Sequence, residues 1–286
     1  MQSSNKSFAG DLDRLIFFGS VAGIISLCVP LALFPEQGGV ILGKAFDFLT
    51  QQFGVFYVAG ASLTFTFLLY LAFSRHGNIR LGNSAPEFST LSWAAMLFCG
   101  GIGTSVLYWG VVEWAYYFQA PPYGVTPQTS EAMLWSVSYP IFHWGLMGWS
   151  LYVLPGVAIA YSYYVRGARS LRLSDACEPV IGRQAQGALG RAIDLLFVVG
   201  LVGACSIGIG LAVPLIGACV AHLLGVDRAA LGFTLDIVVI LVVTCIFAGS
   251  VWMGLEKGIK RLSDLNVLLA MLLLVLILVT GPTLFI

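Results

Sequence analysis

Charge is scarce in this sequence. Only 10% of its 286 residues are charged, and 14 Lys and Arg residues balance 14 Asp and Glu residues. Soluble domains carry about a quarter charged residues, so a soluble globular domain is excluded. No basic tract occurs, which leaves nothing to neutralise a phosphate backbone and excludes a nucleic-acid partner. Paired cysteines are lacking too. Cys28, Cys99, Cys177, Cys205, Cys219 and Cys245 show no disulfide or metal-ligand spacing, and all but Cys177 lie in apolar segments. There, cysteine behaves as a small hydrophobe. Period-two alternation is absent, which argues against a barrel. No nucleophile and base recur at a usable spacing, and the glycines at 100–103 open no strand–turn–helix unit. Neither an enzyme nor a nucleotide site is therefore expected, and no cofactor.

What the chain does have is apolar length. It is 58% hydrophobic, with a mean hydropathy of +0.91, the composition of an all-α, multi-pass membrane protein. Seven segments reach the length of about 20 residues that a bilayer crossing needs: 15–34, 53–73, 91–117, 135–164, 193–223, 232–252 and 265–285. The first is too long for a signal-peptide core and no small-residue cleavage site follows it, so a retained helix is expected. Twelve of the fourteen basic residues fall in one alternate set of loops, against Lys44 and Arg228 in the other. That bias predicts a cytoplasmic N-terminus and an external C-terminus. Loop 165–191 alternates arginines with Leu171, Leu173, Val180 and Ile181, which predicts a short helix in the cytoplasmic interface. The loop at 120–131 holds three prolines and no basic residue, as a rigid external turn would.

Two stretches stand out. FCGGIGTSVLYWG (98–110) places Gly100, Gly101 and Gly103, then Thr104 and Ser105, near mid-membrane. Each glycine weakens a helix by roughly 1 kcal/mol relative to alanine. Irregular backbone at membrane depth occurs where it lines a cavity or is buried in protein. Two readings fit: an interrupted transporter-type helix whose ends face an anionic group or a cation, or close helix packing through the small pair Gly101 and Ser105. FHWGLMGWSLY (142–152) sets Trp144, Trp149 and Tyr152 on one side of a continuous helix, at about 100° per residue. Such a face can enclose a quaternary ammonium through the ring quadrupoles. The alternative is interfacial tryptophans, against which their mid-span position speaks. Glu113 and His143 are ionisable residues within spans and hence functional candidates. Backbone pairing of Glu113 and helix packing of His143 are the plainer alternatives.

Several motifs then occur in order: Leu81-Gly82, Pro86-Glu87-Phe88-Ser89, Ser92-Trp93, the glycine stretch, Trp109-Gly110 with Glu113, and Pro121-Pro122. They continue with Phe142-His143-Trp144-Gly145, Trp149, Tyr152 and GLEKGIKRLSDLN (254–266). Together, over about 81–286, they resemble the betaine/carnitine/choline transporter (BCCT) family. The resemblance implies a LeuT-like fold of two inverted five-helix repeats after two extra helices, with the site at the broken first helix of each repeat. It divides the chain into a cytoplasmic tail (1–14), two accessory transmembrane helices (15–80) and the first five-helix repeat (81–286). Here the break would fall at Gly100–Ser105. By position, Trp144, Trp149 and Tyr152 would contribute to a trimethylammonium cage. Tyr116 matches a substrate-contacting tyrosine of carnitine-type members, and Ile102 sits where betaine-type members place a substrate-contacting methionine. The backbone carbonyls of Cys99 and Ile102 correspond to sodium ligands of sodium-coupled members.

The family pattern is not followed everywhere. The break reads GIGTS, and Trp114 follows Glu113 where betaine and choline carriers usually have proline; both features are similar to the carnitine branch. Asn266 stands near where sodium-independent exchangers place an arginine, so the coupling ion, sodium or proton, stays open. The implied function is secondary transport of a small quaternary-ammonium compound such as glycine betaine, choline or carnitine. The implied setting is the bacterial cytoplasmic membrane, in contact with lipid, with a homotrimer for the full-length protein. The second repeat has no counterpart here, so the expectation is an N-terminal part of a carrier or a truncated product that does not transport alone. The competing expectation is a non-transporting half-fold subunit whose arginine-rich segment meets anionic lipid.

Overall fold

The computed structural model describes residues 13–101, 103–168 and 170–281, and every regular element among them is helical. The elements are α1 (Arg14–Leu33), α2 (Pro35–Phe73), a 3-10 turn (Arg75–Asn78), α3 (Thr90–Gly101), α4 (Gly103–Gln119), α5 (Ser130–Trp144) and α6 (Leu146–Tyr164). They continue with α7 (Leu173–Ile181), a 3-10 turn (Gly182–Gln186), α8 (Ala188–Leu224), α9 (Arg228–Trp252), a π-turn (Leu255–Ile259) and α10 (Lys260–Thr280). Among the described residues, six helical stretches are long and apolar enough to cross a membrane: α1, α2, Ser130–Tyr164, α8, α9 and Leu255–Thr280. The expected third segment falls instead into α3 and α4, of 12 and 17 residues. Most of the expected tail and the end of the last segment, residues 1–12 and 282–285, lie outside the described residues.

The packing suits a non-aqueous surround. The fully buried positions are small, among them Ala95, Ala132, Ala221, Ser136 and Ser174, while large apolar side chains face outward along every long helix. Helices in lipid gain nothing by hiding leucine from hydrocarbon, so small residues that permit close approach take the contact positions.

The chain divides into two compact units. One comprises residues up to Asn83 with Ile141–Ala204; the other comprises Ser84–Pro140 with Cys205 onward. In the first, the Asp13 side chain caps α1 by accepting from the Leu15 and Ile16 amides at 3.2 and 3.3 Å. The chain turns at Phe34, and Pro35 opens α2 at the first helical position, where its missing N–H costs nothing. α2 then runs 39 residues, roughly 58 Å at 1.5 Å per residue, about twice the hydrocarbon thickness. The stretch Pro35–Gln52, read as a connection, is thus the helix's first half; nothing after Pro35 breaks it.

Loop 165–191 contains the expected short helix, α7. Its first turn is tied to α8: the buried Asp194 carboxylate accepts from the Ser174 amide (3.0 Å) and hydroxyl (2.8 Å). Arg172 lies 3.3 Å from Asp13 and 4.0 Å from Asp194, so one guanidinium joins the loop to the start of α1 and of α8. A buried carboxylate without such partners would be strongly unfavourable.

In the second unit, α3 packs on α10. Gly254 turns the chain out of α9 with a φ of 83°, and the π-turn returns it so closely that a Cβ at Gly258 would sit 1.9 Å from the Ser250 carbonyl oxygen. This tight return sets where α10 begins, and with it the polar residues that meet α3.

Candidate functional site

The glycine stretch belongs to the second unit. α3 ends at Gly101 and α4 begins at Gly103, with Gly100 in the last turn of α3 and Ser105 half-buried in the first turn of α4. Ile102 lies outside the described residues, as does the Thr104 side chain. Cys99 is held by α10: its thiol donates to the Ser263 carbonyl at 3.9 Å, and its sulfur accepts from the Asn266 amide at 3.2 Å. Two turns earlier on the same face, the Ser92 hydroxyl donates to Asp264 (3.1 Å), which also takes the Lys260 ammonium (2.8 Å). A cavity of about 440 Å³ opens beside these contacts, lined by Met96, Cys99, Gly100, Ser250, Ser263 and Asn266 among others. Among the described residues no cluster of three or more His, Cys, Asp or Glu could hold a metal ion. A small cation there would rely on hydroxyl, amide and carbonyl oxygens.

α4 carries Glu113 and Tyr116. Glu113 is buried, and the Tyr117 hydroxyl one turn on donates to its Oε1 at 3.4 Å. Tyr116 is exposed and lies 5.8 Å from the ring of Trp109. Tyr117 also stands in an aromatic cluster absent from the sequence candidates: its ring meets Tyr139 at 4.9 Å, Tyr139 meets Trp135 at 5.7 Å, and Trp135 meets Tyr123 at 5.1 Å. Helical spacing could have flagged half of this, since Glu113 and Tyr117, like Trp135 and Tyr139, are four residues apart. The pairing of α4 with α5 could not be read from spacing.

The aromatic stretch belongs to the first unit, and here the structure corrects the sequence. The fourth segment is not one helix. Gly145 is extended (φ −85°, ψ −161°), so Trp144 ends α5 while Trp149 and Tyr152 stand on α6. The angular relation that put all three on one side holds only for an unbroken helix. What remains from it is the pair Trp149 and Tyr152, three residues apart on α6, edge to face at 5.8 Å. The break depends on glycine: a Cβ at 145 would lie 2.3 Å from the Ile141 carbonyl oxygen, and one at 148 would lie 2.2 Å from that of His143. Trp144 and Trp149 are half-buried and Tyr152 is exposed. His143 is exposed, its ring 5.9 Å from Phe142. Trp149 also lines a second cavity, of about 720 Å³, between α2 and α6.

Residues 15–286 match the family model described as BCCT, betaine/carnitine/choline family transporter. The chain belongs to that family. The BCCT family is one of transporters and not of enzymes, and with its apolar helices the chain is a multi-pass membrane protein. Over 272 residues it is 36% identical to a carnitine transporter of Acinetobacter baumannii, covering 95% of this chain and 48% of that one. It is 39% identical over 255 residues to a glycine betaine transporter of Bacillus subtilis (88% and 49%). Over 277 residues it is 33% identical to a high-affinity choline transport protein of Escherichia coli (96% and 40%). The chain spans about half the length of these BCCT relatives. The match begins at α1, so it takes in the two helices that precede the motifs from Leu81 onward.

Proposed function

We propose that this chain supplies part of the substrate path of a secondary carrier for small quaternary-ammonium compounds such as glycine betaine, choline or carnitine. The observation that carries the reading is the Gly145 break with Trp149 and Tyr152 edge to face beyond it and Trp144 just before it. Irregular backbone at membrane depth belongs beside a cavity or inside protein, and aromatic faces attract a cation that cannot be satisfied by hydrogen bonds. In this reading α3 and α4 together make a seventh crossing, in a LeuT-like inverted-repeat arrangement with residues 81–286 as the first repeat. Gly100, Gly101, Gly103, Thr104 and Ser105 form the break in its first helix, with Tyr116 and Ile102 contributing substrate contacts. Cys99 and Ile102 are the candidate ligands, through their carbonyls, of a coupling sodium ion; a proton is the alternative coupling ion.

The same reading places the N-terminus in the cytoplasm, from the distribution of basic residues, in a bacterial cytoplasmic membrane, with lipid contacts and a homotrimer as the assembly. The test is uptake of labelled betaine, choline and carnitine by bacteria that lack their own carriers and express the gene encoding this chain. Trp149→Leu and Tyr152→Leu are expected to raise the half-saturating concentration at least tenfold with the protein still inserted. Uptake of one of these solutes that is unchanged in both variants would remove the aromatic assignment.

A further inference from the structure

The cavity between α2 and α6 lies within the first unit and meets the substrate path proposed above at Trp149, which stands in its wall. Its volume, about 720 Å³, is that of a ligand site, yet its walls are hydrocarbon: Phe65, Leu68, Leu154 and Val157 are typical. Among the described residues no carboxylate lines it; the polar side chains there are His76, Ser150 and Tyr161, with the indole of Trp149. A cation that needs a counter-charge finds none along this wall, and the aromatic ring assigned to the quaternary ammonium, Trp149, is one residue of it. Along α6 the lining runs from Leu146 to Tyr161, about 22 Å at 1.5 Å per residue, against about 15 Å of hydrocarbon in one leaflet, half of the full core. Along α2 the lining continues past the helix end through His76, Ile79 and Leu81. Arg75 and Arg80, both exposed, flank those lining residues, and Arg166 follows the end of α6. The groove is thus apolar along its length and basic at one end.

We propose that this groove binds one acyl chain of an anionic phospholipid, with the lipid phosphate held at Arg75 and Arg80. Charge complementarity selects the occupant. A zwitterionic lipid offers the same hydrocarbon but brings a cationic group to a basic rim, whereas an anionic headgroup gains from each arginine near the surface. Because Trp149 lines the groove, the bound chain lies in van der Waals reach of an indole, which gives the site an optical signature.

The test uses the purified chain in phosphatidylcholine nanodiscs containing a graded minor fraction of phosphatidylglycerol brominated on its acyl chains. Bromine quenches a tryptophan it touches. The expected result is saturable quenching at low mole fraction, and loss of that saturable component in Trp149→Phe. Arg75→Ala and Arg80→Ala should each raise the fraction needed for half-quenching about fivefold, the equivalent of one basic residue's attraction at a membrane surface. Ala158→Phe, which fills the groove, should abolish the Trp149-dependent component while helix content stays unchanged. Equal quenching by brominated phosphatidylcholine at the same mole fraction would mean ordinary annular lipid and overturn the proposal. So would half-quenching fractions left unmoved by both arginine substitutions, or Trp149 quenching that survives Ala158→Phe.

Discussion

Replacing Gly145 with alanine probes the local geometry on which the substrate site rests. An added Cβ meets the Ile141 carbonyl oxygen at 2.3 Å, and a backbone atom cannot rotate aside as a side-chain tip can. Forcing one methyl into so tight a contact costs roughly 1–3 kcal/mol. Alanine also favours a continuous helix over glycine by about 1 kcal/mol. Both effects push the same way, toward closing the break, for a bias of about 2–4 kcal/mol. That corresponds to a shift of thirtyfold to several hundredfold in a two-state equilibrium, at about 1.4 kcal/mol per tenfold. Trp149 and Tyr152 would then leave the placement relative to Trp144 that the extended Gly145 sets and move toward that of an unbroken helix. The assay is the half-saturating concentration for uptake of whichever solute is transported, with surface expression measured in parallel. Gly148→Ala should behave alike, since its Cβ meets the His143 carbonyl oxygen at 2.2 Å. Gly156→Ala, further along α6 with nothing within 4 Å of the added atom, should stay within about twofold of the parent, a margin well inside the bias above. If Gly145→Ala and Gly148→Ala are as active as Gly156→Ala, the break has no bearing on the site.

Other perturbations follow from single contacts. Asp194→Ala leaves the Ser174 amide and hydroxyl buried without their acceptor; at about 1.5–3 kcal/mol per hydrogen bond to a charged group, the two together should cost about 3–6 kcal/mol, read as a lower thermal midpoint in detergent. The Asp13 carboxyl is held below its ordinary 3.8 by the Ile16 amide first and by Arg172 after it, with burial opposing. Its anchoring contribution is therefore fully present above pH 3.8 and fades as the pH falls through the lower folded value, which proteolysis of loop 165–191 against pH would show. Glu113→Gln keeps an acceptor for the Tyr117 hydroxyl and should preserve expression, whereas Glu113→Leu should lower it by removing that acceptor in a buried position.

Six of the seven expected segments coincide with long apolar helices because hydropathy adds up locally, residue by residue; the third, 91–117, divides into α3 and α4. The interruption at Gly145 was not legible. A glycine inside an apolar run fits an unbroken helix as well as a broken one, and what decides is the approach of the Ile141 and His143 carbonyls, which no spacing displays. α2 extends well before its expected start at 53 because Lys44, Asp47 and the glutamines at 51 and 52 lower the local hydropathy yet continue the helix that Pro35 opens. The short helix of loop 165–191 was visible in its alternating arginines, but its anchor on Asp194, twenty residues from Ser174, was not. Trp149 and Tyr152 came out paired because three-residue spacing survives wherever a helix begins. Trp144 lost its place on their face because it precedes the break. The Tyr117, Tyr139, Trp135 and Tyr123 cluster joins two helices, and one-dimensional spacing shows only its halves.

The central claim is that the residues around the Gly145 break touch a quaternary ammonium. The direct measurement is photolabelling of membranes expressing the gene with a photoreactive trimethylammonium solute, followed by mass mapping of the labelled peptide. The account predicts label within 144–152, displaced by excess betaine, choline or carnitine and lost in Trp149→Leu. Displaceable label found entirely on other peptides, with 144–152 unmodified, would contradict it.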